Sequence, residues 1–127
     1  MEYSKLMEKA IEVSQNAYTK YSNFPVGACV LTKSGQIYCG CNFENSSFGL
    51  TICAERNAVG TAIANGEKEI VAVAIYSPKM DNCYPCGACR QVLYEFRAQD
   101  GIDVILKNGD ELVVHKLADL LPGGFDL

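Results

Sequence analysis

The segment Ile70-Val71-Ala72-Val73-Ala74-Ile75-Tyr76 decides the fold of this chain. A continuous apolar run of this length is typical of a β-strand that is buried on both faces, in a sheet covered by helices on each side. Helical patterns of small or mixed apolar residues flank it, over residues 53–64 and 88–97. We therefore predict a strand over residues 69–77 that is connected to its neighbours by right-handed parallel crossovers.

The rest of the chain extends this pattern outwards. An amphipathic helix over residues 4–18 precedes two strands, residues 26–31 and 36–43, which Lys33-Ser34-Gly35 joins as a hairpin. Beyond the third helix the sequence predicts two short strands and a short helix, over residues 102–106, 111–114 and 116–121. The order predicts one domain over residues 1–127 with an α/β fold, a three-layer α/β/α sandwich around a mixed five-stranded sheet.

The composition excludes several classes of protein. Of the 127 residues, 49% are hydrophobic and 20% are charged, as in an ordinary soluble domain. The N-terminus does not resemble a secretory signal, and the apolar runs are too short to span a membrane, so we expect a cytoplasmic protein. The net charge is -4 and the chain has no basic stripe, which argues against a nucleic-acid partner.

The chain has seven cysteines and one histidine, His115. In a chain without a secretory signal, an odd number of cysteines favours reduced thiols and a metal site over a disulfide framework. We expect Cys29, Cys39 and Cys41, which lie on predicted strands, to be small buried apolar side chains. Because only one histidine is present, any transition-metal site must be rich in thiolates.

Two segments carry the candidate chemistry: residues 51–57, Thr-Ile-Cys-Ala-Glu-Arg-Asn, and residues 84–91, Tyr-Pro-Cys-Gly-Ala-Cys-Arg-Gln. Each lies where a helix begins, and a helix N-terminus stabilises thiolates. Cys86 and Cys89 can bind one ion from the first turn of one helix, and Cys53 can add a third sulfur from the other helix. Three protein thiolates with an open fourth position are typical of a catalytic zinc site.

Glu55 lies two residues beyond Cys53, an offset that turns its carboxylate away from the sulfur and towards the open face of the ion. Zinc lowers the pKa of bound water from about 15.7 to about 7, and a carboxylate there can move the protons. Such acid–base catalysis contributes roughly 10²–10⁴-fold. The alternative is a closed structural site with Cys83 as the fourth sulfur, which leaves Glu55 without a role.

Cys-x-Glu followed by Pro-Cys-x-x-Cys is the signature of zinc nucleobase deaminases, with cysteine in place of the first histidine. From residues 21–28 to residues 121–125, the chain closely resembles the small homotetrameric cytidine deaminases. The resemblance implies hydrolytic deamination of cytidine and 2′-deoxycytidine to uridine and 2′-deoxyuridine, as in pyrimidine salvage. It also implies one Zn²⁺ per subunit, a nucleoside substrate and sites shared between subunits of a homotetramer.

The resemblance also implies roles for individual residues. The family's zinc ligands and proton shuttle match Cys53, Cys86, Cys89 and Glu55. Asn42 and Glu44 match residues that hydrogen-bond the ribose, and Phe24 matches an aromatic residue that stacks on the base. The backbone around Ala54 would contact the pyrimidine, and Phe125 matches a C-terminal aromatic residue that caps the site of a neighbouring subunit.

Arg56 and Arg90 follow ligand positions. Zinc with three thiolates has a formal charge of −1, and we expect Arg56, and Arg90 with it, to hydrogen-bond ligand sulfurs and draw off negative charge. The chain departs from its relatives at Phe48, where many carry tyrosine, and in a tail that ends two residues after Phe125. Both departures affect the subunit contact and the closure of the pocket.

Three other functions share part of this pattern. A deaminase of a modified cytosine nucleoside, such as a nucleoside antibiotic, would use the same metal and proton chemistry. A nucleic-acid editing deaminase would carry a basic surface. A non-catalytic zinc or redox-binding module would bind metal, but it would have no need of Glu55.

Overall fold

A computed structural model describes residues 2–127. In chain order the elements are α1 (Tyr3–Ser14), β1 (Gly27–Thr32), β2 (Ile37–Cys41), α2 (Ala54–Ala64), β3 (Ile70–Tyr76), α3 (Gly87–Glu95), β4 (Asp103–Asn108), β5 (Glu111–Lys116) and α4 (Leu117–Leu120), with a 3₁₀ turn at Phe48–Leu50. The order is the one that the sequence predicts. Within the described residues, no helix has the length and hydrophobicity that crossing a membrane requires.

The five strands form one mixed sheet in the order β2-β1-β3-β4-β5, with the apolar segment β3 at its centre. β1 is antiparallel to both β2 and β3, β3 is parallel to β4, and β5 is antiparallel to β4. Strands β2, β3 and β4 therefore run in the same direction. Because α2 follows β2 and α3 follows β3, both helices begin at the same edge of the sheet, and this places their N-termini together.

Side chains of the central strands alternate between the two faces of the sheet and build two cores. The core beneath α1 contains Leu6, Met7, Ala10, Cys29, Leu31, Ala72, Ala74 and Ile105. The core beneath α2, α3 and α4 includes Ala28, Val30, Ala58, Val59, Val73, Ile75, Leu93, Val104, Leu106 and Leu117. Helices cover both faces, which confirms the three-layer α/β/α prediction.

Two strand glycines allow the helices to approach the sheet closely. A Cβ atom at Gly27 would lie 2.0 Å from the carbonyl oxygen of Ala10 in α1, and one at Gly40 would lie 2.5 Å from the amide nitrogen of Ala58 in α2. A side chain at either position would collide with helix backbone. Gly40 therefore sets how closely α2, which carries Glu55, sits on β2.

The first helix is shorter than the sequence predicts, because it ends at Ser14 rather than at residue 18. The Ser14 hydroxyl donates to the carbonyl oxygen of Ile11, a local bond that competes with helix continuation. Tyr18 instead pairs with the segment after β2: its amide donates to Asn42 and its carbonyl accepts from Glu44, both at 3.0 Å. The tertiary pairing replaces a further helical turn.

The expectation of a reduced Cys29 and Cys39 is wrong. The two residues lie directly opposite each other in the antiparallel pairing of β1 and β2 and form a disulfide, with Cα atoms 4.1 Å apart. Cys41 is a free, half-buried thiol, and the candidate zinc ligands Cys53, Cys86 and Cys89 are free thiols too. The disulfide joins the edge strand β2 to β1 on the face covered by α1.

A cluster of three polar side chains ties α1 to β4 and β5. The Tyr3 hydroxyl donates to Asp103 Oδ2 at 2.5 Å, and Lys116 Nζ donates to Asp103 Oδ1 at 2.6 Å. Burial disfavours the Asp103 carboxylate, but the hydrogen bonds from Lys116 and Tyr3 outweigh it and lower the pKa of Asp103. Burial and the neighbouring Asp103 raise the pKa of Tyr3 to about 12.

Replacement of Asp103 by asparagine is therefore expected to lower the melting temperature by a few degrees at neutral pH. A depressed pKa stabilises the fold above the ordinary aspartate pKa of about 4, and this stabilisation is lost as the pH falls through the folded-state pKa. Thermal unfolding followed by circular dichroism at pH 7 and pH 3 measures the effect. The difference in melting temperature between the variant and the wild type should be smaller at pH 3 than at pH 7, and an equal difference at both pH values would contradict the assignment. The control is Asp100→Asn, at an exposed position.

Candidate metal centre and active site

Two of the candidate metal ligands stand at the N-caps of neighbouring helices. Cys53 is the N-cap of α2 and Cys86 the N-cap of α3, and both have extended backbone geometry. Neither side chain caps its helix by a hydrogen bond, so both sulfurs stay available. Cys89 lies in the first turn of α3. Because α2 and α3 begin at the same sheet edge, these three cysteines meet.

The sulfur atoms of Cys53, Cys86 and Cys89 all lie within 4.8 Å of one another. Cys86 Sγ and Cys89 Sγ are 3.4 Å apart. Cys89 is buried, Cys53 is half-buried and Cys86 is exposed, so the cluster opens towards solvent on one side. Among residues 2–127, Cys83 does not join the three sulfurs, which argues against the closed four-sulfur alternative.

The protonation of these sulfurs is coupled. Hydrogen bonding from Cys89, and then from Arg56, lowers the pKa of Cys53 to about 5 against the opposing effect of burial. The same contact with Cys53, together with burial, raises the pKa of Cys89. The cluster therefore favours one thiolate, on Cys53, and a divalent cation would stabilise the others, since metal binding displaces thiol protons.

The donor set fits zinc. Zinc binds thiolates in tetrahedral sites, and three protein ligands leave one position for water or substrate. Two helix N-termini add positive potential to a cluster that carries negative charge when it holds a metal. The cofactor prediction thus agrees with the chemistry of the residues that the fold brings together.

Glu55 is a buried carboxyl group in the first turn of α2, with 5% of its surface exposed. Burial, and then the negative charge of Cys53, raise its pKa to about 7 against the opposing effects of hydrogen bonds and Arg56. A carboxyl group with such a pKa exchanges protons readily at neutral pH, which suits a general acid and base. The first turn of α2 thus carries an acid–base group beside the sulfur cluster.

Arg56 and Arg90 have different partners. Arg56 Nη2 lies 3.4 Å from Cys53 Sγ and 3.3 Å from the carbonyl oxygen of Thr51. Among residues 2–127, its Nε is a buried donor without a hydrogen-bond partner. Arg90 instead donates to the carbonyl oxygens of Pro85 and Leu120, at 2.8 and 2.7 Å. The structure thus corrects the expected sulfur contact of Arg90: this side chain ties the start of α3 to the end of α4.

The residues predicted to bind the nucleoside also lie together, around the loop of residues 21–26. The Asn42 side chain accepts from the amide of Val26 and donates to the carbonyl of Phe24, both at 2.9 Å. Glu44 accepts from the amides of Tyr21 and Ser22, at 2.9 and 3.1 Å, and from the Ser22 hydroxyl. These hydrogen bonds lower the pKa of Glu44. Asn42 and Glu44 therefore hold the loop that carries Phe24.

Ser22 is a site residue that the sequence analysis missed. Its hydroxyl bonds to the Glu44 carboxylate and accepts from the amide of Phe24 at 3.0 Å, so it links the two predicted binding residues. A serine hydroxyl in a turn commonly accepts a hydrogen bond from the backbone two residues further on, and Ser22-Asn23-Phe24 carries this signal.

A cleft of about 310 Å³ lies beside this loop, and its walls are formed by Tyr21, Ser22, Glu44, Phe48 and Thr51. The rings of Tyr21 and Phe48 are 5.3 Å apart, and Phe48 is 71% exposed. Thr51 connects the cleft with the sulfur cluster, because its carbonyl oxygen accepts from Arg56.

The remaining predicted residues occupy different positions. Ala54 is fully buried and is the first residue of α2, where a helix leaves backbone N–H groups without intrahelical partners. Phe24 is half-buried against the core beneath α2. Phe125 is 66% exposed, on a tail that docks on α3. Its ring is thus displayed on the surface of the subunit.

The sequence and fold are similar to those of several known deaminases. Residues 1–103 match the family described as the cytidine and deoxycytidylate deaminase zinc-binding region. The chain is 42% identical to a cytidine deaminase of Sporosarcina psychrophila, covering 98% of this chain and 92% of that protein. A crystal structure of cytidine deaminase from Burkholderia pseudomallei superposes with a TM-score of 0.91 at 40% identity, covering 98% of this chain and 100% of that one. A blasticidin-S deaminase of Bacillus cereus is 37% identical, covering 76% of this chain and 74% of that protein.

Proposed function

Because this chain belongs to the cytidine and deoxycytidylate deaminase family, we propose that it hydrolyses free cytidine and 2′-deoxycytidine to uridine, 2′-deoxyuridine and ammonia. The observation that carries this proposal is the buried Glu55, with its pKa raised to about 7, beside three cysteine sulfurs that fit zinc. Purified zinc-loaded protein should convert cytidine, as followed by ultraviolet absorbance and by ammonia release. A folded, zinc-loaded sample that converts neither nucleoside would overturn the proposal.

Different residues of this chain would bind zinc and transfer the protons of the reaction. Cys53, Cys86 and Cys89 would hold zinc, which would supply the acidity that turns water into a nucleophile at neutral pH. Glu55 takes the proton that this water loses and delivers it to nitrogen 3 of the base, while the oxygen adds to carbon 4. Glu55 then carries the hydroxyl proton of the adduct from this oxygen to the amino group, so that the C4–N bond breaks, ammonia leaves and the C4 carbonyl forms.

The loop of residues 21–26 and the segment after β2 would bind the nucleoside. Phe24 would stack on the base, and the first backbone N–H groups of α2, from Ala54, would hydrogen-bond the pyrimidine. Glu44 already accepts hydrogen bonds from the loop, but carboxylate oxygens have about four acceptor positions and can accept a ribose hydroxyl as well. Asn42 would hydrogen-bond the ribose from the same side as Glu44.

Replacement of Arg56 by glutamine is expected to lower kcat by roughly 10- to 100-fold, the usual cost of removing a group that supports a metal ligand. The guanidinium hydrogen bond to Cys53 Sγ draws negative charge from the sulfur, and glutamine cannot replace that charge. The measurement is turnover per bound zinc atom.

The matched control is Arg90→Gln, because Arg90 bonds to carbonyl oxygens rather than to a sulfur. It should lower the melting temperature and leave turnover per zinc atom close to that of the wild type. Wild-type turnover of Arg56→Gln at full zinc occupancy would exclude the proposed role.

We also propose that the protein acts as a homotetramer in which Phe125 closes the site of a neighbouring subunit. Large apolar side chains are exposed at Phe48, Leu50 and Phe125, at 71%, 64% and 66%. Exposed apolar surface of this kind is typical of interaction sites. Light scattering coupled to size-exclusion chromatography would test the assembly, and a stable monomer with full activity would refute it.

Blasticidin-S deaminase remains a second candidate function, favoured by the similarity to the Bacillus cereus protein of that name. The ribose-binding prediction for Asn42 and Glu44 favours an ordinary nucleoside. Comparison of kcat/KM on cytidine and on blasticidin S separates the two functions.

A single domain over residues 1–127 and a cytoplasmic location stay predictions. The Cys29–Cys39 disulfide argues against a reducing compartment, because disulfides are rare there. Trapping of thiols in intact cells, followed by mass spectrometry, would test the location through the state of this pair.

A further inference from the structure

The last residues of the chain lie against α3 and are held there by side chains of that helix and its end. Gln91 Nε2 donates to the carbonyl oxygen of Phe125 at 2.8 Å. Arg97 Nη2 forms a 2.8 Å ion pair with Asp126 Oδ2, with both side chains partly exposed. The tail is thus fixed at its backbone and at a charged side chain.

The Tyr94 ring provides the third contact. The Arg97 guanidinium lies 3.8 Å from the centre of this ring, and Arg97 Nη1 also donates to the Tyr94 carbonyl at 2.8 Å. The Gly124 backbone packs on the same ring so closely that a Cβ atom there would lie 2.6–2.9 Å from ring atoms. A larger residue at position 124 would have to displace the Tyr94 ring.

These contacts fix the residues on both sides of Phe125 and leave the Phe125 ring itself 66% exposed. An aromatic side chain on a free tail would lose conformational entropy whenever it bound a partner. A tail that is ordered beforehand has already lost part of that freedom, so binding costs less. The contacts therefore suit an aromatic ring that must be displayed in one position.

We propose that Gln91, Tyr94 and Arg97 are positioning residues, which clamp the tail so that Phe125 is presented in a fixed position to the substrate in a neighbouring subunit. This inference rests on the proposed function of Phe125. The same helix carries Cys86 and Cys89 at its N-terminus, so one element supports the zinc cluster of its own subunit and the capping residue of another.

The test is a charge exchange between Arg97 and Asp126. Arg97→Asp and Asp126→Arg should each raise the KM for cytidine roughly threefold to tenfold, as expected for a partly exposed ion pair with a stacking contact. The kcat should stay near the wild-type value, because the lost interaction is made equally in the ground state and the transition state. The double exchange should restore much of the wild-type KM.

A second measurement follows the tail without reference to activity. Carboxypeptidase digestion, monitored by mass spectrometry, should release Leu127 and Asp126 faster from each single variant than from the wild type or the double exchange. Lys33→Asp, which removes a surface ion pair with Glu69, is the matched control and should change neither KM nor digestion. Asp126 lies at the exposed end of the chain, so its variant tests the clamp even if Arg97→Asp does not fold.

The outcomes separate this proposal from the one on which it rests. If the wild-type protein does not deaminate cytidine, the proposed function fails, whatever the digestion shows. If the wild type is active and the single variants leave KM unchanged, the clamp does not position Phe125 and the proposal is overturned. This holds even if the carboxypeptidase digests the single variants faster than the wild type. A raised KM in both single variants with rescue in the double exchange supports it.

Discussion

Replacement of Glu55 by glutamine is expected to reduce kcat for cytidine by roughly 10²–10⁴-fold or more, the contribution of general acid–base catalysis. Glutamine has nearly the same shape as glutamate, so the buried position in the first turn of α2 should stay filled. The amide cannot accept a proton from water or deliver it to the base. The measurement is the ultraviolet change of cytidine turnover together with the zinc content of the variant.

Glu44→Gln is the matched control, because it makes the same chemical change at a carboxylate that is only half-buried. Glu44 is predicted to bind the ribose, so this variant should raise KM more than it lowers kcat. Zinc content should equal that of the wild type in both variants. A Glu55→Gln protein that turns over cytidine at the wild-type rate would refute the proposed proton shuttle.

Replacement of Cys86 or Cys89 by serine is expected to remove both zinc and activity, whereas Cys83→Ser should keep both. A hydroxyl group is not ionised at neutral pH and is a poor zinc ligand. Structural zinc sites have an apparent binding free energy of about 10–16 kcal/mol, which is roughly 3–5 kcal/mol for each of three protein ligands, so one loss should cost about 10²–10⁴-fold in affinity. Zinc is measured by mass spectrometry after dialysis, in parallel with turnover.

Cys83 is a suitable control because it is a buried free thiol three residues from Cys86, yet its sulfur lies outside the cluster of three. Burial and the nearby Glu55 raise the pKa of Cys83 to about 11, which disfavours the thiolate that a zinc ligand requires. Loss of zinc from Cys83→Ser, or its retention in Cys86→Ser, would show that the ligand set has been assigned wrongly.

The proximity of the three candidate zinc ligands could be predicted, because it depends on a topology that the sequence patterns indicate. The apolar segment β3 between two helices indicated strands running in one direction, and helices that follow such strands begin at one sheet edge. Cys53 and Cys86 each precede a helix, so their proximity follows from the element order alone. The spacing of Cys86 and Cys89 then fixes the third sulfur.

The disulfide is predictable from the register of the hairpin, which is stronger evidence than cysteine number and compartment. Cys29 and Cys39 are equally distant from Ser34 in the hairpin turn, so a symmetric antiparallel pairing places them opposite each other. Register is a local property, whereas the redox argument is a statistical one about whole proteins.

Contacts between distant segments could not be predicted from the sequence patterns. Arg90 follows a zinc ligand in the sequence, yet its guanidinium reaches the carbonyl of Leu120, a partner that only the folded chain brings near. The clamp on the tail has the same origin, because Gln91 and Arg97 carry no signal that connects them with Phe125 or Asp126. Periodicity defines elements and faces, but it does not specify which polar groups meet across them.

The position of Cys53 and Cys86 before α2 and α3 has a consequence for stability as well as for chemistry. An ion held by both closes a loop of chain that contains α2 and the central strand β3, and such a cross-link reduces the number of conformations open to the unfolded chain. Metal content and heat resistance should therefore change together, and an enzyme preparation that has lost its metal would be a less durable protein as well as an inactive one.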